Sequence, residues 1–423
     1  MAKSTPRTTL LIENIGQLIT MQGRVPRRGK DLAEISIIAN GAIAVSADKI
    51  LAVGKAEEIA SQVEPAENCT VISAKNKVVM PGFIDPHTHP VFACTREVEF
   101  EMRLAGKSYM EIAEAGGGIR TSVRHLRETS AEELYRISKK TLDRLLSYGV
   151  TTIEAKSGYG LSTEAEIKTL EVIRQLNDNE TIDLCPTFLG AHEIPDEYRD
   201  KREDYINLVV KEMIPAVGDK NLAEFCDVFC EEGVFTVEES RRILTAAREA
   251  GLKLKIHADE LKSTGGAELA VELGAISADH LGFISERGID MMAQSDTVAV
   301  LLPGTSFALG LDEFAPARKM IEKGVIVALS TDCNPGSSMT ESLPMIISLA
   351  ALKLKMTAAE AISAVTVNAA CAIDRGDRLG RLEPGLPADI VIWGMQDYRE
   401  LPYHYGVNLV ETVIKNGKVV VER

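Results

Sequence analysis

The sequence lacks the features of a secreted or membrane-spanning protein. No window approaches the ~18 consecutive apolar residues that a transmembrane helix requires. Glu13 and Asn14 interrupt the apolar character of the first residues before it reaches signal-peptide length. The seven cysteines are an odd number scattered over 423 residues, which indicates reduced thiols rather than a disulfide framework. We therefore expect a cytoplasmic protein.

Basic residues are in deficit. The 47 Lys and Arg residues are outnumbered by 62 Asp and Glu residues, which gives a formal net charge of −15 and a pI near 5.1. Nucleic acids and anionic membranes require a basic surface, so neither is an expected partner. A small anionic substrate needs only one or two local cations and is compatible with this charge balance.

The central part of the chain alternates short β-branched runs with longer helix-like segments, from about residue 75 to 375. Eight runs predict strands: VVMPGFIDPH, GVTTIEAKS, IDLCPTFLGAH, EFCDVFC, LKLKIHAD, AISADH, TVAVLLPG and VIVALSTD. Helix-like segments such as AEELYRISKKTLDRLLSYG, VEESRRILTAAREAG and PARKMIEKG end in glycine, the usual C-cap signal. Eight strands alternating with helices predict an α/β protein with a closed (β/α)8 barrel of the TIM type. An open doubly wound sheet is the alternative, but no GxGxxG follows an early strand.

The two ends of the chain have a different pattern. Residues 8–75 contain strand-like pieces with turn signals, and residues 380–423 contain DIVIWG and ETVIKNGKVVVE, whose Asn-Gly pair predicts a hairpin. Neither end is long enough to form a sheet sandwich alone. We therefore predict that residues 1–75 and 376–423 pair into one small β-sandwich domain beside a catalytic barrel of residues 76–375.

Three motifs that could suggest other chemistry have simpler explanations. Gly116-Gly117-Gly118 lacks the following Lys-Ser/Thr of a phosphate loop, which leaves a mobile loop over the barrel mouth or a turn. Cys226 and Cys230 lie in EFCDVFC, which is more typical of a buried strand than of a zinc knuckle. Cys333 has no separate His-Asn partner pattern and is expected to be a packing residue.

Histidines are few, and their positions carry the functional signal. Five of the seven lie at or just after predicted strand ends: His87, His89, His192, His257 and His280. The last strand ends in STDCNPGS, which places Asp332 at the same rim, where barrel enzymes hold their active sites. In PGFIDPHTHPVF, His87 and His89 would project from the same face of an extended segment. A single strand-end histidine is more often structural, but this concentration predicts a metal site.

The predicted donors define the chemistry. Imidazole nitrogens with one carboxylate suit zinc or iron and are too rich in nitrogen for Mg²⁺ or Ca²⁺. A catalytic site keeps one position for water, whose pKa the metal lowers toward ~7. Glu260, in KIHADELKSTGG, could transfer protons at the same rim; its alternative role is an acid at a helix N-terminus. Asp259 is expected to cap the following turn.

The segments PGFIDPHTH, IHADE, SADH and STDCNPGS, in this order, resemble the amidohydrolase superfamily of metal-dependent hydrolases, which have a distorted barrel and an accompanying β domain. Further segments resemble the branch that opens the imidazolone ring in histidine degradation: HPVFACTRE, SYMEIAEAGGGI, EAKSGYGL, TFLGAHEIP, FTVEESRR, IHADELKSTGGAELA, VLLPGTSF and TDCNPGSS. The match spans nearly the whole predicted barrel. The resemblance implies hydrolysis of 4-imidazolone-5-propanoate to N-formimidoyl-L-glutamate.

The resemblance also implies a site. It places one divalent or trivalent ion, zinc or iron, on His87, His89, His257 and Asp332. Many relatives hold two metals bridged by a carboxylated lysine of the fourth strand, and EFCDVFC contains no lysine, which favours a single ion. We predict catalytic roles for Glu260, His280 and Asp332. The implied substrate contacts are Arg96, Tyr109, Tyr159, His192, Glu260, Asn334, Gly336 and Ser337.

Two kinds of alternative function remain. A nucleobase deaminase or an N-acyl amino acid deacylase of the same superfamily would share the metal ligands, but the loop segments and Arg96 argue against it. Arg96 can bind a carboxylate tail through two hydrogen bonds, although a surface ion pair is its alternative role. A non-catalytic scaffold homologue would be expected to lose metal ligands, and all four are present. The expected partner is a small molecule with a carboxylate tail, and a homodimer is left open.

Overall fold

The computed structural model describes residues 7–107, 111 and 117–423. Within this part of the chain, two eight-stranded sheets organise the fold. In chain order the strands are β1 (Thr8–Ile19), β2 (Ile37–Ser46), β3 (Lys49–Lys55), β4 (Pro65–Ser73), β5 (Val78–Pro81), β6 (Phe83–Asp85), β7 (Val150–Lys156), β8 (Asp183–Ala191), β9 (Phe225–Cys230), β10 (Lys253–Ala258), β11 (Ser277–His280), β12 (Val298–Leu301), β13 (Val327–Leu329), β14 (Ile390–Trp393), β15 (Val410–Lys415) and β16 (Lys418–Glu422).

Most of the helices connect the barrel strands. The described α-helices are Ala56–Gln62, Glu97–Leu104, Ile119–Glu128, Ala131–Ser147, Thr163–Asn179, Arg202–Leu208, Ile214–Asp219, Val237–Glu249, Gly266–Leu273, Glu286–Ala293, Pro303–Ala308, Ala317–Lys323, Leu343–Leu352, Ala358–Ala364, Val367–Ala372 and Glu400–Tyr403. Short 3₁₀ segments cover Gly29–Ala33 and Asp196–Tyr198, and Val209–Met213 is π-helical. The three glycine-terminated helices predicted from the sequence are confirmed. Their terminal glycines Gly149, Gly251 and Gly324 have φ of 86°, 87° and 88°, as C-caps do.

The barrel contains the eight predicted strands in sequence order. β6 to β13 pair in parallel, each with its neighbour along the chain, and the two edges approach each other through a bridge between Thr88 and Cys333. The first predicted strand, VVMPGFIDPH, is divided between the sheets: β5 joins the other sheet and only β6 belongs to the barrel. The chain passes between them at Gly82, where a Cβ would lie 2.4 Å from Oγ1 of Thr151.

Both chain ends contribute to the second sheet, whose order is β16-β15-β14-β5-β1-β2-β3 with β4 beside β1. β5 joins the two ends because it pairs with β1 on one side and β14 on the other. The predicted Asn-Gly hairpin is confirmed at Asn416 and Gly417, between β15 and β16. The hairpin turns at Ala47 and Gly417 meet, since a Cβ on Gly417 would lie 2.1 Å from the Ala47 carbonyl. The second sheet is therefore curved, so that these two hairpin turns are in contact. The domain boundaries at 75/76 and 375/376 stay a prediction.

The described residues form more than one apolar cluster. A large cluster lies between the barrel strands and their helices and extends to residues of the second sheet such as Val391 and Trp393. A separate cluster is formed by other residues of the second sheet, including Ile12, Ile43, Ile390 and Ile414. None of the helices in the described ranges combines the length and the apolar character that crossing a bilayer requires.

Candidate metal centre and active site

Five predicted site residues lie where barrel strands end: His87 and His89 after β6, His257 in β10, His280 at the end of β11, and Asp332 after β13. All five side chains are buried. The carboxyl ends of parallel barrel strands meet at one rim, which brings these distant positions together. His280 and Asp332 have φ of 76° and 51°, values that are uncommon outside glycine and cost roughly 1–3 kcal/mol. The surrounding fold therefore holds these two turns against local strain.

The four predicted metal ligands converge. Oδ1 of Asp332 lies 3.5 Å from Nε2 of His87 and 3.6 Å from Nε2 of His89. The ring centroids of His87 and His257 are 4.4 Å apart, and those of His89 and His257 are 5.5 Å apart. Such separations accommodate one ion bound at about 2.0–2.2 Å. Donor atoms of His87, His257 and His280 also lie within 4.8 Å of one another, so the predicted catalytic histidine lies directly beside the ligands.

The chemistry of these donors fits a metal ion. Nε2 of His87, Nδ1 of His89 and Nε2 of His280 are buried without a hydrogen-bond partner among the described residues, and unpaired buried polar atoms are costly. Burial, with smaller contributions from neighbouring charged groups, lowers the pKa of all three histidines well below the usual value. The rings are therefore neutral, which is the form that binds metals.

Two carboxylates lie against the rings of two predicted metal ligands. Oδ2 of Asp279 lies 2.6 Å from Nδ1 of His87, and Oδ2 of Asp227 lies 2.9 Å from Nδ1 of His257. A carboxylate beside Nδ1 favours a proton on that nitrogen and leaves Nε2 free for a metal. Sequence reasoning missed both aspartates. The available signal was an acidic residue inside a buried strand, in FCDVFC and in SADH.

Lys156, the last residue of β7, is fully buried beside these carboxylates. Its Nζ lies 2.6 Å from Oε1 of Glu154, 2.7 Å from Oδ2 of Asp227 and 3.8 Å from Oδ2 of Asp279. Burial alone lowers the pKa of an ammonium group, but the charges of Asp227, Glu154 and Asp279 outweigh it and raise the pKa of Lys156. A cationic ammonium group therefore lies beside the carboxylates that contact the rings of His87 and His257.

A cavity of about 560 Å³ opens at the same rim. It is lined by most of the predicted site residues: His89, Arg96, Tyr159, His192, His257, Glu260, His280, Asp332, Asn334, Gly336 and Ser337. Tyr109, another predicted substrate contact, lies outside the described residues, as does Gly116 of the predicted glycine loop. Gly118 of that loop lines the cavity. Three of the four predicted metal ligands, His89, His257 and Asp332, thus share one cavity with the predicted substrate contacts that the structure describes, while their individual roles stay predictions.

Cationic side chains occupy one part of this cavity. Nε and Nη2 of Arg96 donate to Oε2 of Glu99 at 2.8 and 2.7 Å. A Cβ on Gly336 would lie 2.5 Å from Nη1 of Arg96, so the absence of a side chain lets the guanidinium approach this turn. Arg103 donates from Nη2 to the Gly336 carbonyl at 3.3 Å, and its buried Nε has no partner in the described part of the chain. Sequence reasoning missed Arg103 and Glu99, whose helical spacing from Arg96 was the available signal.

The loop that carries Tyr159 is fixed by a buried carboxylate. Glu166 accepts three backbone N–H groups at 2.7–3.0 Å, those of Gly158, Gly160 and Leu161. The Gly158 carbonyl lies 2.9 Å from Nδ1 of His192, and the Tyr159 and His192 rings are 5.4 Å apart. Gly158 has φ of 109°, and a Cβ there would lie 3.0 Å from Nδ1 of His192. Glycine is therefore required where this loop meets His192.

Asn334 organises the turn after Asp332. Its Oδ1 accepts the backbone N–H groups of Gly336 and Ser337 at 2.7 and 2.8 Å, and its Nδ2 donates to the Asp332 carbonyl at 2.7 Å. Thr305 donates from Oγ1 to Oδ2 of Asp332 at 2.6 Å, which leaves Oδ1 toward the histidines. The predicted contacts Asn334, Gly336 and Ser337 are thus parts of one turn.

Four residues to which the sequence analysis assigned no catalytic role have the structural environments expected of them. Asp259 accepts backbone N–H groups of residues 264, 265 and 267 at 2.7–3.1 Å and so caps the following turn. Cys226 and Cys230 lie in the buried strand β9. Cys333 is buried, and burial raises the pKa of its thiol well above the usual value, which is unlike a reactive cysteine.

Comparison with known proteins gives consistent results. The model of the amidohydrolase family matches residues 78–420. The imidazolonepropionase of Alkaliphilus oremlandii (strain OhILAs) is 54% identical over 413 residues, which are 97% of this chain and 98% of that protein. The imidazolonepropionase of Alkaliphilus metalliredigens (strain QYMF) is 51% identical over 415 residues, 98% of each chain.

Among solved structures, an adenosine deaminase from Xanthomonas campestris with bound zinc is similar, with a TM-score of 0.71. The similarity covers 99% of this chain and 94% of that one, at 19% identity. At this identity the likeness supports the barrel fold alone.

Proposed function

The chain belongs to the amidohydrolase family and, within it, to the imidazolonepropionases, and we propose that it opens the ring of 4-imidazolone-5-propanoate with water to give N-formimidoyl-L-glutamate. The observation that carries this proposal is full-length similarity to imidazolonepropionases in a chain whose convergent histidines share a cavity with two arginines. Both halves of the substrate, the ring and the carboxylate tail, then have complementary groups.

His87, His89, His257 and Asp332 would hold one metal ion in this proposal, zinc or iron. The neutral imidazoles of His87 and His89 and the single carboxylate support this choice. A bound ion supplies water of lowered pKa and polarises a carbonyl oxygen. Elemental analysis of the purified protein distinguishes the two metals and gives the number of ions per chain.

In this proposal three side chains carry out proton transfer. Water adds across the ring C–N bond, so the carbonyl carbon gains a hydroxyl group and the departing nitrogen gains a proton. Asp332, itself one of the proposed metal ligands, and His280, which lies beside them, help to hold and deprotonate the water. Glu260 lines the cavity, and burial, with the charges of Asp332 and Glu231, raises its pKa to about 8. It is therefore protonated at neutral pH and can donate to the departing nitrogen.

Substrate orientation depends on the other part of the cavity. Arg96 binds the propionate tail in this proposal, and Arg103 supplies a second positive charge beside it. Tyr159 and His192 line the same cavity as the two arginines, and the Tyr159 ring lies beside the ring of His89, a proposed metal ligand. A buried carboxylate is costly unless it is paired, which supports the use of guanidinium groups here.

The test is a direct assay. Purified protein is mixed with 4-imidazolone-5-propanoate, and loss of imidazolone absorbance is followed together with the metal content. We expect turnover that stops when a chelator removes the metal and returns on reloading. Deamination of a nucleobase or hydrolysis of an N-acyl amino acid, without ring opening, would overturn the proposal. A cytoplasmic location and a homodimer also stay proposals, which fractionation and sedimentation test.

A further inference from the structure

Lys156 has an unusual environment for a lysine. Its side chain is fully buried, and a buried ammonium group is tolerated only when it is paired. The nearest carboxylate oxygens belong to Glu154 at 2.6 Å and Asp227 at 2.7 Å, and Asp279 lies at 3.8 Å. The proposed chemistry uses none of these four groups directly.

The carboxylates around Lys156 are those that contact the ligand rings. Oδ2 of Asp227 lies 2.7 Å from the ammonium group and 2.9 Å from Nδ1 of His257. Oδ2 of Asp279 lies 3.8 Å from the ammonium group and 2.6 Å from Nδ1 of His87. One cation on β7 is thus linked through two aspartates to histidines that follow β6 and lie in β10.

We propose that Lys156 is a positioning residue of the metal centre, whose ammonium group holds Asp227 and Asp279 so that they fix the rings of His257 and His87. The inference rests on the proposed metal site. Without the cation, Asp227 would lose the ammonium group at 2.7 Å from its Oδ2, and Asp279 would keep only the more distant ammonium group of Lys255, at 4.0 Å. The histidine tautomers and ring orientations would then be less well defined.

The contacts of Lys156 extend to a second lysine. Contacts of 4.0 Å or less join Lys156 to Glu154, Asp227 and Asp279, and Lys255 to Asp279. Donor atoms of His87, Asp227 and Asp279 also lie within 4.8 Å of one another, but the ammonium group already supplies the positive charge there.

A matched control is available in the same barrel. Lys255 is also fully buried, but its Nζ donates to the carbonyl oxygens of Ala372 at 2.9 Å and of Pro86 at 3.4 Å. Its nearest acidic partner in this group is Asp279, at 4.0 Å. Lys255→Met therefore removes a buried ammonium group without releasing Asp227.

The experiment measures zinc affinity of the apoprotein by competition with a chromophoric chelator, for wild type, Lys156→Met and Lys255→Met. If Lys156 positions the ligands, Lys156→Met binds zinc more weakly, by roughly 10- to 100-fold, while Lys255→Met stays near wild type. A charge acting only through space has the opposite effect, because removing a cation would strengthen zinc binding. The sign of the change therefore separates the two mechanisms.

A second measurement does not depend on zinc. NMR of ¹⁵N-labelled histidine in the apoproteins reports which ring nitrogen carries the proton. Lys156→Met should alter the signal of His257, whose partner Asp227 is contacted by Lys156, while Lys255→Met should leave that signal unchanged. Unchanged signals, or zinc affinity equal to or above wild type, would overturn the inference. If Lys156→Met fails to fold, Asp227→Asn and Asp279→Asn replace it, and wild-type zinc affinity in both would overturn it. A wild-type protein that binds no zinc or iron would instead refute the proposed metal site.

Discussion

Oε2 of Glu260 lies 3.5 Å from Nε2 of His280. The pKa values of the two groups shift in opposite directions, because burial raises the pKa of Glu260 to about 8 and lowers the pKa of His280 well below its usual value. At neutral pH Glu260 is therefore protonated and His280 is neutral. Glu260 can therefore donate a proton and His280 can accept one. Hydrolysis of a C–N bond requires both a proton donor and a proton acceptor.

Replacing the acid tests its role in catalysis. Glu260→Gln should lower kcat by roughly 10²- to 10⁴-fold, the usual contribution of a positioned acid–base group, while the metal content stays at the wild-type value. Steady-state kinetics and elemental analysis give the two quantities. Glu286→Gln, which changes an exposed ion pair with Lys319, should leave kcat unchanged. A near-normal kcat in Glu260→Gln would remove Glu260 from the mechanism.

The pH profile provides an independent test of the same group. The proton donor must be protonated, so kcat/KM of the wild type should fall as the pH rises through about 8, the pKa that burial gives Glu260. Glu260→Gln cannot titrate and should lack this decline, at its lower activity. An alkaline decline that persists unchanged in Glu260→Gln would belong to another group.

Removing one ligand tests the metal centre. His89→Ala should abolish stoichiometric metal binding and turnover, because His89 is one of the four proposed metal ligands at the rim. Circular dichroism should remain close to wild type, since the barrel core is formed by other residues. His404→Ala, at an exposed histidine, is the control and should keep both metal and activity. Full metal occupancy in His89→Ala would remove this residue from the ligand set.

Substrate specificity should depend on Arg96. Charge-assisted hydrogen bonds contribute about 1.5–3 kcal/mol, so Arg96→Met should lower kcat/KM by roughly 10- to 100-fold. Arg96→Lys should also be impaired because it lacks the planar fork. The loss should be much smaller for a substrate analogue whose tail is an amide. Equal losses for acid and amide would show that Arg96 does not bind the tail, and Arg318→Met, at an ion pair with Glu360, serves as the control.

Glu166 should stabilise the conformation of the loop that carries Tyr159. In Glu166→Gln one oxygen becomes an NH₂ group that faces backbone N–H donors, so at least one of the three hydrogen bonds is lost. We expect the free energy of unfolding to fall by about 2 kcal/mol and KM to rise. Chemical denaturation and kinetics measure these effects. Glu171→Gln lies on the same helix in an exposed ion pair with Lys220, and wild-type behaviour is expected there.

The sequence determined the barrel and most of its rim. Strand and helix periodicity follows from side-chain geometry, which is local, so eight strands, glycine-ended helices and the Asn-Gly hairpin could be predicted from single segments. The strand-end positions of His87, His89, His257 and Asp332 were sufficient to predict their convergence, because parallel barrel strands bring their carboxyl ends together. The division of VVMPGFIDPH between two sheets was not predictable in this way, because it depends on pairing of β5 with strands of both chain ends.

Only the tertiary structure revealed the charged groups that lie beside the predicted metal ligands. Asp227, Asp279 and Lys156 lie on three different strands, and nothing in their local sequence indicates which histidine each aspartate contacts. The contacts of Arg103 and Glu99 were also not predictable from local sequence, because the charged run around these residues is equally typical of a surface helix. Local sequence fixes which way a strand residue points, but hydrogen bonds between strands depend on register, stagger and burial, which exist only once the barrel is closed.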